Sequence, residues 1–452
     1  MRSVQCDEAT LKPFIYNGEF TVTKNPEYFV NGEIRFPNEP LVRRAKGEMR
    51  ADGSYDTVFG PYVEHDGKKY EVSNHNVRLA MRRLTRCRVD LQTHTRLKRQ
   101  QIVWFHKNQK FVRYLRELYA AGFDDYNGMV QEALDHHADP HAKRALRLAG
   151  WKELVAHGTL ADQLWLRKVT YKMKKFEWAK VSKEPRMIGD LGILASLQGF
   201  RTMEATKIAM YDRPIHYKGG IIMYCKAPSY RSLKMIFEEL IYPSRRYFFV
   251  YFSDDSCYSA HTSSGVYRVN VDISGCDSSH GPSVFENFAN IHEDRAKDDV
   301  KRLIAQCALP IRVYDLGQDS KRAFVELIPH EPKLYSGSTM TTAINNFANI
   351  CIAKQIADDC ALTDETVASA AAKVGYIVTC VDAATPEKLQ FLKHSPVLDV
   401  NGNWQPLLNI GVLLRLSGSC RFDLPGRGPL EPRARAFQAA LLQGAYPRAE
   451  FP

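Results

Sequence analysis

A mixed α+β fold is what this sequence predicts, and three observations predict it. Short aromatic and β-branched runs alternate with turn dipeptides through residues 1–75 and again through 220–260, the pattern of strands and hairpins. Apolar residues recur at helical spacing over 78–113, 283–307 and 343–373. Between these lies a wholly apolar run, Tyr247 to Phe252, whose length suits a buried strand. With 452 residues, 44% of them hydrophobic and 25% charged, the chain can fill a large core or two to three packed subdomains.

Taken in order, residues 1–75 carry Asn17-Gly18, Asn31-Gly32, Asp52-Gly53 and Asp66-Gly67, each a hairpin signal. From Arg78 to Arg113 the chain is strongly basic, so one helix face can pack while the other carries Arg and Lys. That second face is either a solvated surface or a nucleic-acid track. Residues 111–165 read as two or three helices rich in Leu and Ala, and the C-terminal stretch from Gly428 as a short helix with a loose tail. Lys plus Arg number 62 against 51 Asp plus Glu, a formal charge of +11, which favours a polyanionic partner.

The 10 cysteines form no CxxC pair and sit at no zinc-finger spacing, so free thiols in a reducing compartment are expected. The N-terminus holds no apolar run of signal-peptide length, and no stretch approaches the roughly 18 apolar residues of a membrane span. A soluble cytosolic protein that inserts into no membrane is the expectation.

The segment with most chemistry is YFFVYFSDDSCYSAHTSSGVYRVNVDISGCDSSHG, residues 247–281. The apolar strand ends at Ser253-Asp254-Asp255, and adjacent carboxylates at a tight turn repel unless a cation lies between them. A second strand, Gly265 to Ile273, carries Asp272 near its end, with Asp277 five residues later. Strands that bring Asp254, Asp255 and Asp272 to one sheet edge make an oxygen-only site suited to two Mg²⁺ or Mn²⁺ ions. Solvated loop aspartates are the plainer alternative. Further on, Tyr335 to Asn346 sets a Ser-Gly loop before a helix, with Thr341 and Asn345 four apart on one face. Upstream, Lys172 to Ile188 is a basic run broken by Pro185, fit to line a triphosphate channel or to be a charged surface loop.

Together these residues resemble the viral RNA-dependent RNA polymerase family over about residues 170–410. DISGCD (Asp272, Asp277) is similar to its motif A, and SGSTMTTAIN (Ser336, Gly337, Thr341, Asn345) to motif B at every defining position. KKFEWAKVSKEPRMI is similar to motif F, at Lys175, Glu177, Lys180, Lys183 and Arg186. VGYIVTC (374–380) resembles motif D, and LQFLKHSPV (389–397) resembles the motif E hairpin. No GDD follows motif B. Ala357-Asp358-Asp359 lies in a helical stretch, whereas Ser253-Asp254-Asp255 has the strand context of motif C but precedes motif A. The order C–A–B resembles the permuted polymerases of permutotetravirus-like and birnavirus-like viruses.

The resemblance implies a right-hand fold with fingers, a palm holding a small antiparallel sheet, and a short thumb. It divides the chain into an N-terminal extension and fingers (1–110), fingers with motif F (111–245), palm (246–398) and thumb with tail (399–452). It implies RNA-directed RNA synthesis from ribonucleoside triphosphates on a single-stranded template, ending in a nascent duplex. It sets that work in a viral replication complex of the host cytoplasm, with viral partners to assist. Asp254, Asp255 and Asp272 would hold the two metal ions. Asp277 and Asn345 would read the ribose 2′-hydroxyl, with Ser336, Gly337 and Thr341 in support. Lys175, Lys183 and Arg186 would clamp the triphosphate, and Lys388 would be the general acid. Two rivals stand beside this reading: a basic, catalytically inactive RNA-binding or capsid-associated protein of similar shape, and a reverse transcriptase, which Asp277 paired with Asn345 argues against.

Overall fold

The computed structural model describes residues 77, 80–84, 90–124, 168–174, 184–226, 228–314 and 324–409. It also describes the backbone of short strands at 3–6, 20–24, 29–30, 33–37, 54–56 and 419–421. The expectations for Lys175, Lys183, the helices of 125–165 and the C-terminal helix lie outside these residues.

The central sheet grows from the predicted apolar strand. Its members are β1 (Ile215–Tyr217), β2 (Gly220–Tyr224), β3 (Tyr247–Phe252), β4 (Asp255–Thr262), β5 (Gly265–Ile273) and β6 (Val378–Asp382), in the spatial order β6-β5-β4-β3-β2-β1. Five neighbours make four antiparallel pairs and one parallel pair, β2 with β3. The antiparallel sheet expected from the sequence is present in β3 to β6, and β2 and β1 extend it through one parallel step. Its parallel step arises because the chain leaves β2 and returns to β3 through a helix, Tyr230–Ile241, which only a crossover can achieve. That helix starts at a Ser229–Ser232 capping box.

Strand β3 is buried on both faces, which explains its unbroken apolar run. Tyr247, Phe249 and Tyr251 pack into the main helical core, while Phe248 and Val250 meet Leu233, Ile236, Phe237 and Leu240 of the crossover helix. The main core is built by α1 (Leu91–Lys107), α2 (Gly192–Asp212), α3 (Pro282–Asn290), α4 (Thr341–Asp359) and α5 (Asp364–Val374) with their neighbours. Helix α4 is buried nearly all round from Ala343 to Ala357, as a helix through the middle of a core must be. Helix α1 buries His94, Leu97, Gln101, Trp104 and Phe105 and exposes Arg96, Arg99 and Lys107, the division its periodicity predicts.

A second, five-stranded sheet draws on three distant parts of the chain. Its order is Phe20–Lys24, Phe324–Pro329, Ile311–Tyr314, Val169–Met173, Met187–Asp190. It brings the end of the basic run alongside the Ser-Gly loop. Gly189 N–H donates to the Ser336 carbonyl at 2.8 Å. Gly337 sits at φ +101°, and a Cβ there would meet the Gly189 carbonyl oxygen at 2.3 Å, so only glycine allows this approach. Near the C-terminal end of the described chain, His394–Leu398 pairs with Trp404–Leu408, placing the Asn401-Gly402 turn inside the hairpin rather than after it.

Cys225, Cys257, Cys276, Cys307, Cys351, Cys360 and Cys380 are free thiols. No described helix is long and apolar enough to cross a membrane.

Candidate active site

Strands β3 and β4 form a hairpin with Phe252 opposite Asp255, so Ser253 and Asp254 are its two turn residues. Such a turn needs a positive φ, and Ser253 takes it at +55°. A serine there is strained by roughly 1–2 kcal/mol, and three asparagines of α4 hold it. Ser253 N–H donates to Asn346 Oδ1 (2.7 Å), its carbonyl accepts from Asn349 Nδ2 (2.6 Å), and its Oγ accepts from Asn345 Nδ2 (3.2 Å). All three asparagines are buried. They sit at neighbouring positions of a buried helix and all three meet the hairpin tip, Asn345 reaching Asp277 and His280 as well.

Register carries the acidic residues inward from this tip. Asp272 lies opposite Asp255 across β4–β5 and opposite Thr379 across β5–β6, so the three share one sheet face. After β5 the chain turns at Gly275 and enters a single helical turn, Cys276–Ser279, that presents Asp277. Ser336 Oγ donates to Asp277 Oδ2 at 2.9 Å, and Asn345 Nδ2 donates to Oδ1 at 3.1 Å. Thr341 acts within its own loop: its Oγ1 donates to the Tyr335 carbonyl at 2.9 Å and so closes residues 335–341.

These residues open onto a cleft of about 690 Å³ lined by Asp254, Asp272, Asp277, Ser336 and Arg186, among others. Its walls also include Arg83, Tyr171, Tyr335, Ile377 and Thr379, none of which the sequence reading gave a site role. Arg83 comes from the basic run and donates to the Glu184 carbonyl at 3.1 Å, which sets it beside Arg186. The only sequence signal for it was net basicity. Asp255 borders this cleft without lining it; its Oδ2 accepts the Leu392 N–H at 2.9 Å. Lys388 does not line the cleft either. It is exposed on a 3₁₀ turn whose carbonyl is tied to Asn270 Nδ2 at 3.0 Å.

Electrostatics single out the hairpin pair. The Asp255 pKa is raised to about 6, chiefly by burial and also by the Asp254 and Asp272 carboxylates, against the pull of the Leu392 N–H. Asp254 is exposed at the tip, yet the cleft walls strip part of its hydration. That loss and the nearby Asp277 carboxylate raise its pKa, while Arg186 opposes them. Carboxylates so placed gain from any cation that joins them.

Among the described residues no three His, Cys, Asp or Glu side chains converge as a ready ligand set. Asp254 and Asp272, which both line the cleft, offer oxygen donors only, the ligand chemistry that fits Mg²⁺ or Mn²⁺, with Asp255 on the strand beside Asp272.

No protein-family model and no curated protein matches the chain. Among solved structures it is similar to the birnavirus VP1–VP3 complex, at 11% identity and a TM-score of 0.43, covering 71% of this chain and 46% of that one. It is also similar to the RNA polymerase VP1 from infectious pancreatic necrosis virus, at 10% identity and a TM-score of 0.44, covering 75% and 47%. The chain thus spans about half the length of the proteins it resembles in fold. At such identities the residues of the cleft, and not the likeness, carry the chemistry.

Proposed function

We propose that this chain is an RNA-dependent RNA polymerase whose motif C hairpin precedes its motif A strand. One observation carries the reading. Asp254 and Asp272 open onto the same cleft as Asp277, and Asp277 is held by Ser336 and Asn345. The unusual chain order fits the topology. β3, β4 and β5 are consecutive antiparallel strands, so the acidic residues come from one meander of the chain instead of from distant segments. Only the final placement of side chains matters to catalysis.

In this reading Asp254 and Asp272 hold the divalent ions, and Asp255 supports them from the neighbouring strand. Bound there with a triphosphate, such ions supply activation of the attacking 3′-hydroxyl and neutralisation of the leaving pyrophosphate. Arg186, with Arg83 beside it, faces the incoming triphosphate across the cleft and offsets its charge. Asp277 and Asn345 meet the ribose. A carboxylate and an amide poised to bond a 2′-hydroxyl lose that partner when a deoxynucleotide enters, which penalises the deoxy substrate. The basic excess of the chain suits a single-stranded RNA template and its growing duplex.

The test is incorporation of labelled ribonucleotides on a single-stranded RNA template with Mg²⁺ or Mn²⁺. Synthesis that needs template and metal, and that Asp254→Asn and Asp272→Asn each abolish, is the expected result. RNA binding without synthesis, indifferent to both substitutions, would instead favour the non-catalytic RNA-binding reading. Preference for deoxynucleotides would favour reverse transcription.

A further inference from the structure

Asn345 carries more information than its own motif position. Its amide nitrogen faces Asp277 Oδ1 (3.1 Å) and Ser253 Oγ (3.2 Å), and its Oδ1 faces His280 Nε2 at 2.8 Å. The Asp277 carboxylate only accepts, so the nitrogen must be the atom that faces it. With the amide so oriented, Oδ1 requires a proton on His280 Nε2. In the tautomer with that single proton, Nδ1 accepts from the Tyr376 hydroxyl, 2.9 Å away, and Cys276 Sγ lies 3.8 Å from Nε2 as a weak second acceptor. Hydrogen bonds therefore run in one direction, from Tyr376 through His280 to Asn345 and on to Asp277. Asn345, His280 and Tyr376 are each almost wholly buried, so water does not compete along this line.

One residue of α1 fixes both outer members by their backbones. Gln101, fully buried, donates from Nε2 to the carbonyls of Ser279 (2.8 Å) and Gly375 (3.2 Å) and accepts the Gly281 N–H at Oε1 (2.9 Å). Its contacts therefore flank His280 on both sides and immediately precede Tyr376. Gly375 stands at φ +95°, and a Cβ there would lie 2.4 Å from Gln101 Cγ, so the close approach depends on glycine. Gln101 and His280 lie outside the segments that resemble polymerase motifs, and Tyr376 lies within the stretch 374–380 that resembles motif D.

We propose that His280 and Tyr376, braced by Gln101, are positioning residues for ribose selection. They lock the Asn345 amide so that its nitrogen, and not its oxygen, is presented beside Asp277. Without the His280 donor, Oδ1 of Asn345 is an unpaired buried acceptor. The amide then loses the contact that fixes its plane, so its nitrogen is no longer held in one place beside Asp277 and the surface that meets a 2′-hydroxyl loosens. This inference rests on the polymerase reading and goes beyond it by naming a layer that touches no substrate.

The experiment compares single-nucleotide extension with a ribonucleotide and its 2′-deoxy counterpart, for wild type, His280→Leu, His280→Gln and Tyr376→Phe. Melting curves confirm that each variant folds. The preference for ribonucleotide is expected to fall about tenfold in His280→Leu and about threefold in Tyr376→Phe, the scale of a lost buried hydrogen bond. His280→Gln, whose amide N–H replaces Nε2–H, keeps most of the preference. A structural role alone would lower use of both nucleotides together and leave their ratio unchanged, which overturns the proposal. Should His280→Leu not fold, Tyr376→Phe decides the matter, because it removes a single oxygen atom. A wild-type enzyme that extends with neither nucleotide overturns the polymerase reading itself. An active wild type with unchanged ratios in the folded variants overturns only the relay.

Discussion

Two of the adjacent aspartate pairs in this chain, Asp254-Asp255 and Asp358-Asp359, live in opposite electrostatic worlds. Asp358 and Asp359 end helix α4, where cations meet them. Asp358 Oδ1 accepts from Lys218 Nζ (2.7 Å) and Tyr217 OH (2.8 Å), and Oδ2 pairs with Lys354. Asp359 pairs with Lys373 at 2.9 Å and accepts from Gln355 at 3.0 Å. Burial works against the Asp358 charge, yet Lys218, Lys354 and Tyr217 outweigh it and hold the carboxyl below its usual range. Lys354 is itself buried among Trp104, Phe111 and Tyr217, with ring centroids 5.5–5.9 Å from its Nζ. Asp254 and Asp255 show the reverse: their neighbours include further carboxylates, and both pKa values are raised. The helical rise from Asn345 to Asp358 is about 20 Å, so the second pair stands far from the cleft. An acidic pair met by cations stabilises, whereas one set among further carboxylates at a cleft has the perturbed pKa values that mark a candidate site.

The largest expected effect separates the pairs by activity. Asp272→Asn or Asp254→Asn is expected to reduce nucleotide incorporation by about a thousandfold or more, the scale of several kcal/mol of metal-mediated stabilisation. Asp358→Asn should leave the folded enzyme within about threefold of wild type, since it touches no substrate. Steady-state incorporation by the three variants checks this, and the comparison breaks if Asp358→Asn is the inactive one.

Next in size is stability. Lys354→Met removes a buried cation from an aromatic pocket and leaves Asp358 with Lys218 and Tyr217 alone. Loss of one partner from a buried pair costs about 3 kcal/mol, readable as a lower urea midpoint. Incorporation per folded molecule should be retained.

How much of this was legible beforehand follows the same divide. Strand β3 and strand β5 could be read from apolar length and alternation, and the helical setting of Ala357-Asp358-Asp359 set it aside as a catalytic pair. Asp277, Ser336 and Asn345 were legible because motif spacing is local. The parallel step of the sheet was not, because strand order depends on crossovers that no local pattern records. Nor were Asn346, Asn349 and Gln101. Each reads as an ordinary polar position on a helix, and only burial shows its purpose. A signal did exist: Gln101 shares the apolar face of α1 with Leu97, Trp104 and Phe105, where a polar residue needs a partner. Arg83 and Tyr171 reach the cleft through tertiary packing, which periodicity does not encode.

Acid titration sharpens the contrast by sign. Asp358 has a depressed folded pKa, so its stabilisation is present above the unfolded value near 3.8 and is lost as pH falls through the lower folded value. Asp255 has a raised folded pKa of about 6, so the folded state binds the proton more readily than the unfolded chain. Its contribution is present below about pH 3.8 and is lost as pH rises through 6. Metal-free protein should therefore gain stability from this group on acidification from pH 7 to 5. Asp255→Asn should flatten that part of the profile, and Asp358→Asn the part below pH 4, in denaturant midpoints measured across pH.

The smallest effect tests the hairpin tip. Ser253 combines a left-handed backbone with three asparagine contacts, and two substitutions separate these terms. Ser253→Ala keeps the backbone strain and loses the Asn345–Oγ hydrogen bond, so it should cost about 1 kcal/mol. Ser253→Gly loses the same hydrogen bond but relieves strain of roughly 1–2 kcal/mol, part of which the freer unfolded glycine chain gives back. The glycine variant should thus lie within about 1 kcal/mol of wild type and above the alanine variant. Both retain the backbone contacts to Asn346 and Asn349, which involve no side-chain atom of residue 253. Equal stabilities for alanine and glycine would mean that the turn has relaxed out of the left-handed region. Asp254 would then be aimed by something other than the asparagines, and the structural difference between the two acidic pairs would reduce to charge alone.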